Sequence, residues 1–237
     1  MIKSSQYKNL YFTYALSESN PPYGAAIILD GLPSNPSSKD QLIQKLARHD
    51  FDVFFPRYEG TWKSKGEFLK RNPSKAIIEF IKTLQHGVFL RGKKYIARKI
   101  FVLGASFGGR IALDIASKNV ADKTCAISPA ISFRRIAEID TLENHLRAEY
   151  AGDYRFNSKN WYKLLEEDVW NLDNNKIENP SDTLIIAGNN DNEIKKADVF
   201  EFGKKNKIRI SIYDFDHITL SKITESMLEE ILEFFSK

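Results

Sequence analysis

Residues 100–116 read IFVLGASFGGRIALDIA. The apolar run at the start of this stretch predicts a buried strand, and the apolar spacing at its end predicts a helix. Small residues crowd around Ser106 between them, in the pattern Gly-x-Ser-x-Gly from Gly104 to Gly108. A turn that lifts one side chain clear of a sheet is strained, and bulky residues two positions away would collide with backbone. The motif therefore predicts that Ser106 is presented as a nucleophile at the end of a strand.

Glycine-rich turns between a strand and a helix also bind phosphate groups, so a phosphate loop is the alternative. A Walker-type loop would need Gly-Lys-Ser or Gly-Lys-Thr, and a dinucleotide site would need Gly-x-Gly-x-x-Gly. Neither pattern is present at this turn. The nucleophile interpretation is therefore favoured.

The rest of the chain alternates short apolar runs with amphipathic stretches. This alternation predicts an α/β fold: a mostly parallel sheet with helices on both faces. The segment 7–16 alternates aromatic and polar residues, which predicts an antiparallel edge strand or hairpin. The other predicted strands are 24–29, 51–55, 100–103, 123–128, 183–187 and 207–213, and the predicted helices are 39–49, 74–85, 110–116, 194–205 and 220–235.

Residues 130–179 break this rhythm. They show helical patterns interleaved with aromatic residues and no convincing strand, and they are too long for a plain connection. We interpret the chain as one domain, residues 1–237, with a helical cap insertion at about 130–179. Its aromatic side chains either attach the insertion to the body or contribute a partly apolar pocket.

The composition argues against several classes of function. With 35 basic and 31 acidic residues the net charge is +4, and the mixture of signs disfavours a nucleic-acid partner. The densest basic stretch, 91–99, is interpreted as a solvated loop. The single cysteine, Cys125, rules out an internal disulfide and a cysteine zinc site. Because we find neither a signal-peptide pattern nor a membrane-spanning run, we expect a cytoplasmic protein without a membrane partner. The oligomeric state cannot be predicted.

A nucleophilic serine needs a base, and the chain offers four histidines. Only His217 directly follows a predicted strand, 207–213, which places it at the same edge of the sheet as Ser106. The other three are interpreted as helix-end or surface residues: His49, His86 and His145.

The base in turn needs a carboxylate to fix its tautomer. Asp191 is the first carboxylate after the predicted strand 183–187, and Glu193 is the alternative. Asp216 is adjacent to His217 in sequence, so its side chain is expected to point elsewhere. The predicted catalytic residues are therefore Ser106, Asp191 and His217.

This order, with each residue just past a different strand, resembles the α/β-hydrolase family over nearly the whole chain. The loop 56–62 is similar to the corresponding loop of the prolyl-oligopeptidase and acyl-peptidase group, although the chain has no room for a propeller domain. Asp30-Gly31 stands where family members usually have His-Gly. The resemblance implies an oxyanion hole formed by the backbone N–H groups of Leu32 and Phe107.

The function that follows is a serine hydrolase of the esterase type, which cleaves a small carboxylic ester or thioester through an acyl-enzyme. Such chemistry needs no metal or organic cofactor. Two alternatives remain open. One is a small serine peptidase or aminoacyl hydrolase acting on an amide. The other is a catalytically silent binding protein on the same fold.

Overall fold

The computed structural model describes residues 1–90, 92–136, 139–165 and 170–237. Within these residues, strands β1–β10 are Lys3–Tyr7, Leu10–Ala15, Gly24–Leu29, Phe51–Pro56, Val88–Leu90, Lys93–Tyr95, Ile100–Ala105, Lys123–Ile127, Thr183–Gly188 and Arg209–Tyr213. Helices α1–α7 are Asp40–Arg48, Pro73–His86, Phe107–Ala116, Ile139–Glu149, Ser158–Leu165, Lys196–Asn206 and Glu225–Ser236. None of the helices in these parts of the chain is long and apolar enough to cross a bilayer.

Eight of the strands form one sheet in the order β1-β2-β4-β3-β7-β8-β9-β10. The six strands from β4 to β10 in this order run parallel to one another, and β2 pairs antiparallel with both β1 and β4. The predicted α/β class and the predicted antiparallel hairpin at the N-terminus are confirmed. The hairpin begins earlier than expected, at Lys3.

Side-chain alternation explains why the parallel strands are continuously apolar. In β3, Ala25, Ile27 and Leu29 enter one core cluster, while Ala26 and Ile28 enter the other. Helices α2, α3 and α6 cover the first face, and α1 and α7 cover the second. A strand buried on both faces has no polar side to show, so its sequence lacks alternation.

The prediction of a loop over residues 91–99 is wrong in part. Lys93–Tyr95 forms β6, which pairs antiparallel with β5 in a separate two-stranded hairpin. Each strand has three residues, and the register places the exposed Phe89 opposite Lys94. Strands this short carry too little pattern to be distinguished from a charged loop.

The predicted insertion contains α4, α5 and a short 3₁₀ turn at Phe133–Arg135. Its buried aromatic residues contact aromatics of the body: Phe133 packs on Phe107, and Tyr154 packs on Phe68. Tyr154 also forms an isolated antiparallel bridge with Thr61. These contacts support the attachment role, and the division into one domain with a cap stays a prediction.

Candidate active site

Ser106 is the one residue between the end of β7 and the start of α3. Its backbone has φ 55° and ψ −117°, a region that non-glycine residues enter only where the surroundings enforce it. The Ser106 N–H donates to the Ile127 carbonyl at 2.8 Å, and its carbonyl accepts from the Arg110 N–H at 3.0 Å. The strained strand-turn-helix that the sequence predicts is therefore present, held by β8 and by the first turn of α3.

The glycines on either side of Ser106 are required by backbone packing. A Cβ on Gly104 would lie 2.2 Å from the Gly108 carbonyl oxygen. A Cβ on Gly108 would lie 2.1 Å from the carbonyl oxygen of Leu29 on the neighbouring strand. Both distances are far shorter than any carbon–oxygen contact, so a side chain at either position would displace the backbone.

His217 and Asp191 form a buried hydrogen-bonded pair at the carboxyl ends of the parallel neighbours β10 and β9. His217 Nδ1 lies 2.9 Å from Asp191 Oδ2, and the two side chains are 6% and 4% exposed. Asp191 Oδ1 accepts the N–H groups of Glu193 at 3.0 Å and Ile194 at 2.9 Å. Burial acts to raise the pKa of Asp191, but the hydrogen bonds from His217 and Ile194 outweigh it and lower the pKa. The ionised carboxylate can therefore hold the proton on Nδ1 and leave Nε2 as the basic nitrogen.

Ser128 supports this pair, and the sequence reasoning missed it. It is buried at the end of β8, where its backbone has φ 40°. Its Oγ accepts the N–H of Ile218 at 3.3 Å, which fixes the residue after His217. A serine before a proline at a strand end is a common turn residue, so its sequence signal is weak.

The other two carboxylates near His217 take different positions. Glu193 Oε2 lies 3.8 Å from His217 Nε2, beyond hydrogen-bond distance, on a side chain that is 65% exposed. Asp216 forms an ion pair with Lys222 at 3.0 Å, in agreement with the prediction that its side chain points away from the His217 imidazole. The carboxylate hydrogen-bonded to Nδ1 is therefore Asp191. The remaining histidines lie where the sequence predicts: His49 caps α1, His86 ends α2, and His145 lies on the partly exposed face of α4.

Ser106 and His217 line one cleft of about 280 Å³. Its walls come from the loop 30–39, Glu193 and residues 217–221. The structure therefore brings these two predicted residues to one opening, with Asp191 behind His217. Among the described residues, no aromatic side chain of the insertion lines this cleft. Phe133 and Tyr154 instead pack against the body.

The loop Asp30-Gly31-Leu32 lies directly against Ser106. A Cβ on Gly31 would be 3.2 Å from Ser106 Cβ and 3.7 Å from its Oγ. Leu32 lines the same cleft, and Phe107 is the first residue of α3, where backbone N–H groups have no intrahelical partner. Both predicted oxyanion donors therefore belong to segments in contact with Ser106, and their role stays a prediction.

A buried ion pair stabilises this loop from behind. Lys39 Nζ lies 2.9 Å from Asp30 Oδ2, and the two side chains are 5% and 7% exposed. The Asp30 carboxylate also accepts the Gly31 N–H at 3.0 Å and the hydroxyl of Ser34. Asp30, which stands in place of the usual histidine, thus binds three other residues of the same loop. Sequence reasoning missed Lys39, because a lysine at the start of a surface helix is ordinarily exposed.

Two tyrosine hydroxyls bind the same loop. Tyr58, in the loop after β4, donates to the Asp30 carbonyl at 2.7 Å. Tyr154, from the insertion, accepts the Ser34 N–H at 3.0 Å. The loop beside Ser106 is therefore fixed both by the body and by the insertion.

The sheet order, the strained serine and the carboxylate–histidine pair at one edge define an α/β hydrolase. The model of the family described as serine aminopeptidase, S33, matches residues 20–236, and the chain belongs to that family. No curated protein matched the sequence.

Solved structures with the same fold cover nearly the whole chain. The esterase Pf2001 of Pyrococcus furiosus is 18% identical, with a TM-score of 0.69 over 100% of this chain and 92% of that one. The α/β hydrolase GrgF of a Penicillium species is 15% identical, with a TM-score of 0.74 over 100% and 98%. A soluble variant of the Saccharomyces cerevisiae monoglyceride lipase, solved with a substrate analogue, is 12% identical, with a TM-score of 0.69 over 99% and 95%. At these identities the likeness shows the fold alone.

Proposed function

We propose that this chain is a serine hydrolase that cleaves a small carboxylic ester or thioester through an acyl-enzyme. The observation that carries the proposal is the strained Ser106, which opens onto the same cleft as an imidazole held by a buried carboxylate. A serine hydroxyl is a poor nucleophile without such a base.

In the first half-reaction, Ser106 Oγ bonds to the carbonyl carbon while His217 Nε2 takes the hydroxyl proton. The backbone N–H groups of Leu32 and Phe107 bind the resulting oxyanion, and each such donor contributes about 3–4 kcal/mol. The N-terminus of α3 favours the same negative charge. The carbon–oxygen or carbon–sulfur bond then breaks, and the leaving alcohol or thiol takes the proton from His217.

In the second half-reaction, water attacks the acyl-enzyme with His217 again as the base. The acid leaves, and the proton returns to Ser106 Oγ. Asp191 stays ionised throughout and stabilises the charged imidazole. The cleft of about 280 Å³ is just below the usual size range of ligand sites, which favours a small substrate.

Hydrolysis of an aminoacyl amide is the second candidate. The family is described as serine aminopeptidases, and the exposed Glu193 carboxylate at the cleft offers a partner for a substrate ammonium group. The same three residues would carry out the reaction. The small volume of the cleft makes the small ester the first choice.

A fluorophosphonate probe tests the class, because it labels only an activated serine. We expect labelling of the wild type and of the control Ser226→Ala, whose serine is exposed on α7, and no labelling of Ser106→Ala. Equal labelling of Ser106→Ala would reject the nucleophile. No labelling of the wild type would favour a silent binding protein.

Two substrate series then separate the candidates. p-Nitrophenyl esters of increasing acyl length test the ester hydrolase, and aminoacyl-p-nitroanilides test the amide hydrolase. Turnover that depends on Ser106 and is confined to the anilides would replace the first candidate by the second.

A further inference from the structure

A second cavity lies across the loop 30–39 from the Ser106 cleft. It has a volume of about 360 Å³ and is lined by the N-terminal hairpin, the segment 35–40 and the loop after β4. Asn35 lines both cavities. We call the second one the Arg57 cavity, after the buried arginine among its lining residues.

Arg57 is a buried cation that forms no ion pair with a carboxylate among the described residues. Its side chain stacks on Phe55, with 3.5 Å between the guanidinium carbon and the ring centre, and the residue is 7% exposed. In the described parts of the chain its guanidinium makes one hydrogen bond, from Nη1 to the Phe55 carbonyl at 3.3 Å. The nearby Asp30 carboxylate is already paired with Lys39. A buried charge without an ion-pair partner is unfavourable. Because the guanidinium makes a single hydrogen bond among the described residues, most of its N–H donors are available to an anion.

The charges around the cavity favour a single negative charge. Lys63 also lines it, with Nζ 5.3 Å from the ring centre of Tyr11. Asp40 is the carboxylate among the described lining residues, and it is exposed. Burial lowers the pKa of Arg57 to about 10, which leaves it charged at neutral pH. Arg57, Lys63 and Asp40 together give the cavity a net charge of +1, which a monoanion balances.

The walls of the cavity suit a flat apolar body. The rings of Tyr11 and Trp62 line it. Thr13 contributes a buried hydroxyl that has no hydrogen-bond partner among the described residues. A planar ligand can stack on such rings while its polar atoms reach the hydroxyl and the guanidinium.

The site is built before any ligand arrives. The Arg57 N–H donates to the Tyr11 carbonyl at 2.9 Å. Ser64 Oγ accepts the Tyr11 N–H at 2.9 Å and donates to the Arg57 carbonyl at 2.8 Å. These bonds join β2 to the loop after β4, so little ordering is required on binding.

We propose that the Arg57 cavity binds a monocarboxylate carried on a planar apolar body, an aryl carboxylate, with its oxygens on the Arg57 guanidinium. Arginine pairs with carboxylates through two parallel N–H···O bonds. Among the described residues, no side chain accepts a hydrogen bond from the Arg57 guanidinium. The site is independent of the proposed hydrolase chemistry, because binding requires neither Ser106 nor His217.

Benzoate binding, measured by isothermal titration calorimetry, tests the proposal. The wild type is expected to bind benzoate, and Arg57→Gln to bind it about tenfold or more weakly, because a charge-assisted contact is lost. Lys63→Gln, at an exposed position, is expected to weaken binding by a smaller factor. Lys93→Gln on β6 and Ser106→Ala are expected to bind as the wild type does, which also separates this cavity from the Ser106 cleft.

Four results would overturn the proposal. The first is no heat of binding from the wild type at benzoate concentrations up to about 10 mM. The second is unchanged affinity in both Arg57→Gln and Lys63→Gln. The third is binding of inorganic phosphate or phenyl phosphate in place of benzoate. Equal affinity for benzyl alcohol, the neutral analogue, would likewise remove the role of the guanidinium.

Discussion

Replacing Lys39 by methionine tests the buried ion pair beneath the loop that contacts Ser106. Methionine keeps an apolar stem and removes the charge. Lys39 Nζ contacts Asp30 Oδ2 at 2.9 Å and also donates to Ser38 Oγ at 2.9 Å and to the Asn35 carbonyl at 3.2 Å. With side chains 5% and 7% exposed, the pair is little screened by solvent. The substitution therefore leaves the Asp30 carboxylate buried without its counter-ion.

Breaking a buried pair by removing one partner costs about 3–5 kcal/mol. Asp30 keeps two other hydrogen bonds, from the Gly31 N–H and the Ser34 hydroxyl. We therefore expect the lower end of this range, about 3 kcal/mol. In a chain of this length such a loss lowers Tm by roughly 6–12 °C.

Urea unfolding of Lys39→Met measures this loss, and Lys45→Met is the matched control. Lys45 pairs with Glu225 at the surface, where the side chains are 41% and 70% exposed. Such exposed pairs contribute about 0–1 kcal/mol. Removing the uncompensated charge with Asp30→Asn in the Lys39→Met chain should recover part of the stability. If the two lysine variants lose the same free energy of unfolding, Lys39 does not act as a buried counter-ion.

Four further predictions follow from the distances and pKa shifts at the site. Gly108→Ala would place a Cβ 2.1 Å from the Leu29 carbonyl oxygen, so we expect a loss of about 3 kcal/mol in urea unfolding, and an unchanged midpoint would contradict it. Asp191→Asn no longer fixes the imidazole tautomer, and we expect kcat on the best p-nitrophenyl ester to fall about 10⁴-fold with little change in KM; a fall below about tenfold would reject the role. Because folding lowers the pKa of Asp191, its contribution to stability is complete above the unfolded value of about 4 and is lost as the pH falls through the lower folded value. The difference in unfolding free energy between wild type and Asp191→Asn should therefore shrink in acid, and a constant difference down to about pH 2 would refute this. Burial raises the pKa of the Cys125 thiol, so iodoacetamide should label the native chain far more slowly than the chain unfolded in urea, and equal rates would show an accessible thiolate.

The sequence predicted the sheet well, because an apolar run buried on both faces has few other structures open to it. The strand predicted at 24–29 is β3, Gly24–Leu29. The helices that bury this strand on both faces were predicted from the helical spacing of their apolar residues. The β5–β6 hairpin was missed because each strand has only three residues, and three of the six are exposed, so the sequence shows no period.

At the candidate site, the sequence could predict the positions of residues that directly follow the end of a strand. Asp191 and His217 follow neighbouring parallel strands, so their proximity follows from topology. Contacts between distant segments could not be predicted. The Ser34–Tyr154 hydrogen bond spans 120 residues, and the burial of Lys39 depends on where the loop before α1 folds back. Among the described residues, no phenylalanine, tyrosine or tryptophan lines the cleft, because tertiary packing uses the aromatics elsewhere.

In the proposed hydrolase, the attachment of the insertion near Tyr154 would limit how a substrate enters. Backbone bonds join the Trp62 N–H to the Asp153 carbonyl at 2.6 Å and the Phe68 N–H to the Arg155 carbonyl at 2.7 Å. Residues 153–155 therefore cannot swing outward as a hinged cover without pulling Tyr154 away from the backbone beside the reaction centre. In the proposed hydrolase, substrate and product would then pass the other wall of the cleft, residues 217–221 with Glu193. Changes in those few side chains are the shortest route by which this scaffold would acquire a new range of substrates.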